Sequence, residues 1–141
     1  MFFVSALIAV LGAIAYQYFV KKISPTINPI VSILAVYLGV LVLGGFLLLL
    51  FPAEGGFAKH IRELTWTQAA VAGSVLLLEL GFLLMYRFGW NLSTGNLVTG
   101  IFINLGLLML GVLLAGEKIT TINAAGIVLS ILGVALISYS P

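Results

Sequence analysis

Glu79 stands alone near the middle of an otherwise uncharged run from Thr67 to Tyr86, the one carboxyl group that the chain places deep inside an apolar segment. An ionised carboxylate at such a depth costs several kcal/mol unless it is paired, wetted or neutralised, so membrane segments rarely keep one without a use for it. The chemistry open to it is reversible binding of a proton or a cation, the chemistry of a coupled transport site. Asn104 is its candidate partner. Glu79 lies eight residues before Arg87 and Asn104 eight after Asn96. At about 1.5 Å of helix rise per residue, both would sit about 12 Å from one surface in a helical hairpin. In helical register Glu79 shares a stripe with Gln68, Ala72, Val75 and Tyr86, polar and small residues that suit a bundle interior. Tyr16, Gln17 and Trp90 could contribute to a cavity wall or its mouth, although aromatic residues also serve as interfacial anchors. The substrate or proton site is therefore expected from Glu79, Asn104, Tyr16, Gln17 and Tyr86. The plainer alternative is a clamp in which Glu79 only hydrogen-bonds Asn104, worth about 1–2 kcal/mol. Asn or Gln could serve that purpose without an ionisable group.

The elements that would position these residues follow from composition. Of 141 residues 62% are hydrophobic and 7% are charged, against roughly a quarter charged in a soluble domain. A soluble fold of this length could not hide so much apolar surface. There is no cysteine, hence no disulfide framework and no thiolate metal site, and the net charge of +2 is scattered, with no basic cluster to follow a phosphate backbone. Nucleic acid is not an expected partner, and no cofactor or metal is expected. His60 is the lone histidine, aspartate is absent, and no nucleophile stands at useful spacing from a base, so the reading is not that of an enzyme.

Five uncharged or nearly uncharged stretches are long enough to cross a hydrocarbon core of about 30 Å, near 2–20, 29–51, 67–86, 97–116 and 122–138. Asn28-Pro29 and Thr65-x-x-Gln68 read as helix starts, the second with capping-box spacing, and no segment alternates as a barrel strand would. The first run is expected to remain a membrane helix and not a secretion signal, because Lys21 and Lys22 follow it. A possible interfacial helix at 55–65 places Phe57, Ile61 and Leu64 on one face, with Trp66 as an anchor; an ordinary solvated loop is the alternative. The fold class is thus an all-α integral membrane protein with five transmembrane helices.

Charge gives little direction to insertion. Five spans put Lys59, Arg62 and Lys118 on one side and Lys21, Lys22 and Arg87 on the other, three against three. The positive-inside rule then has almost nothing to act on, so dual topology and an antiparallel homodimer are expected. In lipid, helices approach through small residues because apolar burial does not drive them together. Gly126, Ser130 and Gly133 form such a stripe on the last span, for a tight contact within one chain or between two.

The stretch from Leu110 through Gly116-Glu117, Thr120 and Gly126 to Gly133-Val134 resembles the C-terminal signature of the EamA-like half in the drug/metabolite transporter superfamily. In that pattern a fourth helix ends in Gly-Glu and a fifth carries spaced glycines. Gly126-x-x-Leu129-x-x-x-Gly133-Val134 is also similar to the dimerising helix of the small multidrug resistance branch. The resemblance implies that residues 1–141 form one EamA-like membrane domain. It would be a half that pairs with a second copy, or with a sister half-transporter, in the cytoplasmic membrane of a prokaryote. That small branch carries its membrane glutamate on the first helix, where this chain has only Tyr16 and Gln17 as polar candidates, so Glu79 is not equivalent by position. Glu117 matches the Gly-Glu of the pattern, and beside Lys118 it is expected to organise the turn.

The function these readings converge on is secondary active transport of a small metabolite or drug-like solute by alternating access, coupled to protons through Glu79. Cations or neutral solutes are favoured over anions. The alternative is a non-transporting small membrane subunit that stabilises or targets a larger complex. It would need the same helices but no self-pairing.

Overall fold

Helix ends in this chain fall where polar residues satisfy backbone groups that a helix leaves unpaired. The computed structural model describes residues 2–139, with the side chains of all but Phe2, Ala115, Ile137 and Ser138. The described residues form α1 (Phe2–Lys22), α2 (Pro29–Leu50), α3 (Phe57–Arg62), α4 (Trp66–Arg87), α5 (Leu92–Ala115) and α6 (Thr121–Ser138), with no strand among them. Asn28 Oδ1 accepts from the N–H groups of Ile30 at 2.9 Å and Val31 at 3.4 Å, while Pro29 occupies the first turn, where no donor is needed. At the start of α4 the Thr65 N–H donates to Gln68 Oε1 at 2.9 Å, and Thr65 Oγ1 accepts from the Thr67 N–H at 3.3 Å. Thr120 Oγ1 accepts from the Asn123 N–H at 3.2 Å and opens α6.

α1, α2, α4 and α5 are each long and apolar enough to cross a membrane, which makes the chain a multi-pass helical membrane protein. The expected span at 122–138 falls in α6, an apolar helix whose stretch Thr121–Leu136 is shorter than those four. Two boundaries differ from expectation. α5 begins at Leu92 and not near Leu97, because Ser93, Thr94 and Asn96 continue the helix despite their polarity; Thr99 Oγ1 bonds back to the Gly95 carbonyl at 2.8 Å. The helix expected at 55–65 is confined to Phe57–Arg62, since Gly55 and Gly56 hold φ at 85° and 92° ahead of it, outside helical space.

The chain divides into two compact units, 1–87 and 88–141. In the first, α4 packs against both α1 and α2, which do not pack on each other. Tyr16 meets Glu79, Gln17 meets Tyr86, and Ser24 and Ile27 beyond α1 meet Arg87, so α1 and α4 run parallel. α2 starts beside Arg87 and is antiparallel to both. The buried residues of this unit are Val20, Ser32, Ile33, Glu79, Leu83 and Tyr86. Most of the remaining apolar surface faces outward, as in Leu41 at 72% and Leu49 at 78% exposed, the pattern of helices solvated by lipid tails. In the second unit α5 packs against α6. Gly116 ends α5 in the left-handed region at φ 67°, and its N–H and that of Glu117 both reach the Gly111 carbonyl. The Glu117 carboxylate folds back over Gly111, where an added Cβ would collide with Oε2. Glu117 thus shapes the turn between α5 and α6.

Two substitutions test these ends. Asn28→Ala, which removes an acceptor for two N–H groups, and Gly116→Ala, which forces a Cβ into left-handed backbone, should each destabilise the protein by about 1 kcal/mol in thermal unfolding of the detergent-solubilised protein.

Candidate functional site

Polar groups of the first unit gather along one side of α4. Glu79, Phe82, Leu83, Tyr86 and Arg87 recur at helical spacing, and α1 and α2 close over Glu79, Leu83 and Tyr86. Glu79 is 9% exposed. Its Oε2 accepts a hydrogen bond from the Tyr16 hydroxyl at 2.9 Å. Tyr16 sits edge-on to Phe82, with centroids 6.2 Å apart and rings at 79°, and Phe82 stacks on Tyr86 at 6.4 Å. The Tyr86 hydroxyl donates to Gln17 Oε1. The aromatic rings therefore brace the acid and its donor from one flank, and a second α1–α4 hydrogen bond follows toward the C-terminal ends of those helices.

Four of the five expected site residues, Glu79, Tyr16, Gln17 and Tyr86, thus belong to one cluster in the first unit. The expected stripe on α4 divides at Glu79. Tyr86 beyond it is buried, whereas Gln68 and Ala72 before it are exposed and Val75 is 37% exposed. Asn104 belongs to the second unit. With α5 beginning at Leu92, it lies twelve residues into the helix, about 18 Å from that end and not the expected 12 Å. Asn104 lines a cleft of about 370 Å³ between α5 and α6, together with Asn123, Gly126 and Ser130. The Ser130 hydroxyl is turned inward to its own helix, donating to the Gly126 carbonyl at 2.9 Å. A Cβ added at Gly126 or Gly133 would meet nothing within 4 Å, so no close helix approach is made at either glycine.

Tyr37 is the residue that sequence reasoning missed. Its hydroxyl oxygen is buried without a hydrogen-bond partner, within electrostatic reach of Glu79 and Tyr16. The signal was present in depth arithmetic. Tyr37 lies eight residues after Pro29, and Glu79 eight before Arg87, so each is about 12 Å from the same end of the unit. The resulting constellation is one carboxylate with one tyrosine hydroxyl already donated to it and a second hydroxyl nearby. Such a site can bind a proton or a cation and keep the carboxylate solvated by donors as its occupancy changes. Among the described residues, no group of three metal-ligating side chains of the His, Cys, Asp and Glu types gathers.

An apolar multi-pass helical chain carrying a buried carboxylate defines the class of protein. No protein-family model, curated protein or solved structure matches the chain.

The two tyrosines should respond oppositely to loss of the hydroxyl. Tyr16→Phe leaves the buried Glu79 carboxylate without its donor and should cost about 1–3 kcal/mol in unfolding free energy. Tyr37→Phe deletes a buried hydroxyl that makes no bond and should be neutral or stabilising. Unfolding both purified variants by heat in the same detergent measures the contrast.

Proposed function

We propose that the chain is one half of a secondary active transporter. It spans the membrane five times, with α6 as the last span, and pairs with a second copy in opposite orientation. The pair moves a small cationic or neutral solute by alternating access. The observation that carries this reading is Glu79, an ionisable group buried in the first unit and held by a tyrosine where lipid would otherwise surround it. Exchange of a proton for solute at Glu79 couples transport to the proton gradient, with Tyr16 and Tyr37 as alternative donors to the carboxylate. Pairing is supported by Gly126 and Gly133, whose open faces leave room for another helix to approach closely. It is supported as well by the even division of basic residues between the two sides. The resemblance to EamA-like halves, and with it a prokaryotic cytoplasmic membrane, agrees with both. Phe57, Ile61, Leu64 and Trp66, all exposed, fit a short segment lying at headgroup level.

Reconstituted into vesicles with an imposed proton gradient, the wild-type protein should accumulate a membrane-impermeant quaternary ammonium cation that protein-free vesicles do not take up. Glu79→Gln should abolish gradient-driven uptake while leaving assembly intact. Undiminished uptake in the variant removes Glu79 from coupling.

Labelling of tags at either terminus from each side of the membrane should find both orientations in comparable amounts. One orientation alone would exclude the inverted homodimer and point to a sister half or a larger complex.

A further inference from the structure

Because α1 and α4 run parallel, their C-terminal ends lie together, and both ends carry cations: Lys21 and Lys22 on α1, Arg87 on α4. Cations are favoured at helix C-termini, where unpaired carbonyls concentrate negative potential. Here that potential is already partly used. The Arg87 guanidinium donates to the carbonyls of Ser24 and Ile27 in the α1–α2 connection, which fixes it across the end of the unit. Two donors of a five-donor group are thereby satisfied, while the Arg87 Nε is buried without an acceptor. Buried N–H groups of a cation are seldom left so, because removing them from water without a partner is costly.

Beside Arg87 is a cavity of about 230 Å³ whose lining includes Lys21, Pro25, Leu83 and Tyr86. Lys21 Nζ stands 5.9 Å from the centroid of the Tyr86 ring, which holds the ammonium at the cavity. No acidic side chain lines it. Glu79 is the acid of α4, and it lies eight residues away, about 12 Å along the helix. Two cations thus line a cavity at the level where two membrane helices end, which is the level of lipid headgroups.

We propose that this cavity binds a phosphate group, whose oxygens accept from the Arg87 guanidinium and the Lys21 ammonium. The phosphate is presented by an anionic lipid headgroup or arrives as a free anion. Arg suits such a site because its planar fork matches phosphate oxygens, and a lysine beside it adds a point charge. A bound phosphate would add a charge-assisted partner to the residue that ties the α1–α2 connection to α4. Occupancy should therefore stabilise the first unit, independently of any transport by Glu79.

The test uses the purified full chain and two lipids of equal chain length, phosphatidylglycerol, whose phosphate leaves the headgroup anionic, and phosphatidylcholine, whose phosphate charge is cancelled by choline, with lipid retention read by native mass spectrometry and stability by thermal unfolding. Wild type should retain phosphatidylglycerol about tenfold more tightly than phosphatidylcholine and unfold at a higher temperature with it. Lys21→Gln, at an exposed helix end, should fold normally and lose most of that preference. Arg87→Lys should lose it while keeping the charge. Lys59→Gln, in the connection between α2 and α4, should keep it. Millimolar inorganic phosphate added to lipid-stripped protein separates the sources: protection equal to that of phosphatidylglycerol identifies a free anion, and protection by the lipid alone identifies the headgroup, both preserving the phosphate site. Equal retention of the two lipids with no protection by inorganic phosphate overturns the proposal. So does a Lys21→Gln variant with wild-type selectivity.

Discussion

The hydrogen bond from Tyr16 to Glu79 is the interaction on which the first unit turns. Lipid offers a carboxylate neither water nor donors, so α4 can hold an acid in mid-span only where another helix supplies a hydroxyl. α1 supplies it, and the need to bring Tyr16 to that depth constrains where α1 lies on α4. The stacked Phe82 and Tyr86 rings, the Tyr86 to Gln17 hydrogen bond and the Arg87 contacts with the α1–α2 connection then follow along the same side of α4.

Polar contacts carry this weight because apolar ones carry little in a membrane. A leucine loses nothing by facing acyl chains, and most large side chains of these helices do face outward. What distinguishes one helix face from another is the few groups that lipid cannot satisfy. In the first unit those groups are concentrated between α1, α2 and α4, while the surfaces of α2 beyond Tyr37 are almost wholly aliphatic. The same logic separates the roles of the two ends of α4. Toward Arg87 it is enclosed by neighbours, and toward Trp66 its small residues remain exposed.

The second unit is built differently. α5 and α6 are joined by a turn whose geometry is set by Gly116 in left-handed backbone and by Glu117 folded over Gly111. The two helices do not close on Gly126, Ser130 and Gly133; Gly126 and Ser130 instead line a cleft shared with Asn104 and Asn123. The glycines of α6 therefore make no tight contact in the described chain, which is why they enter the proposed function as a surface for a second copy.

Several features were legible in the sequence because local chemistry decides them. Long apolar runs make membrane helices by the thickness of the bilayer, Asn28-Pro29 and Thr65-x-x-Gln68 start helices by satisfying their first N–H groups, and Glu79 announces itself by being charged where nothing else is. The start of α5 was not legible, since Ser93, Thr94 and Asn96 look like a turn by composition yet lie within the helix. Tyr37 was not singled out because a tyrosine among aliphatic residues has no chemical signature until its depth is matched to that of Glu79 across another helix. Periodicity determines which residues share a face of one helix. Which helix covers that face depends on the relative direction and depth of segments far apart in the chain, and only the packing of α1 and α2 on α4 decided that.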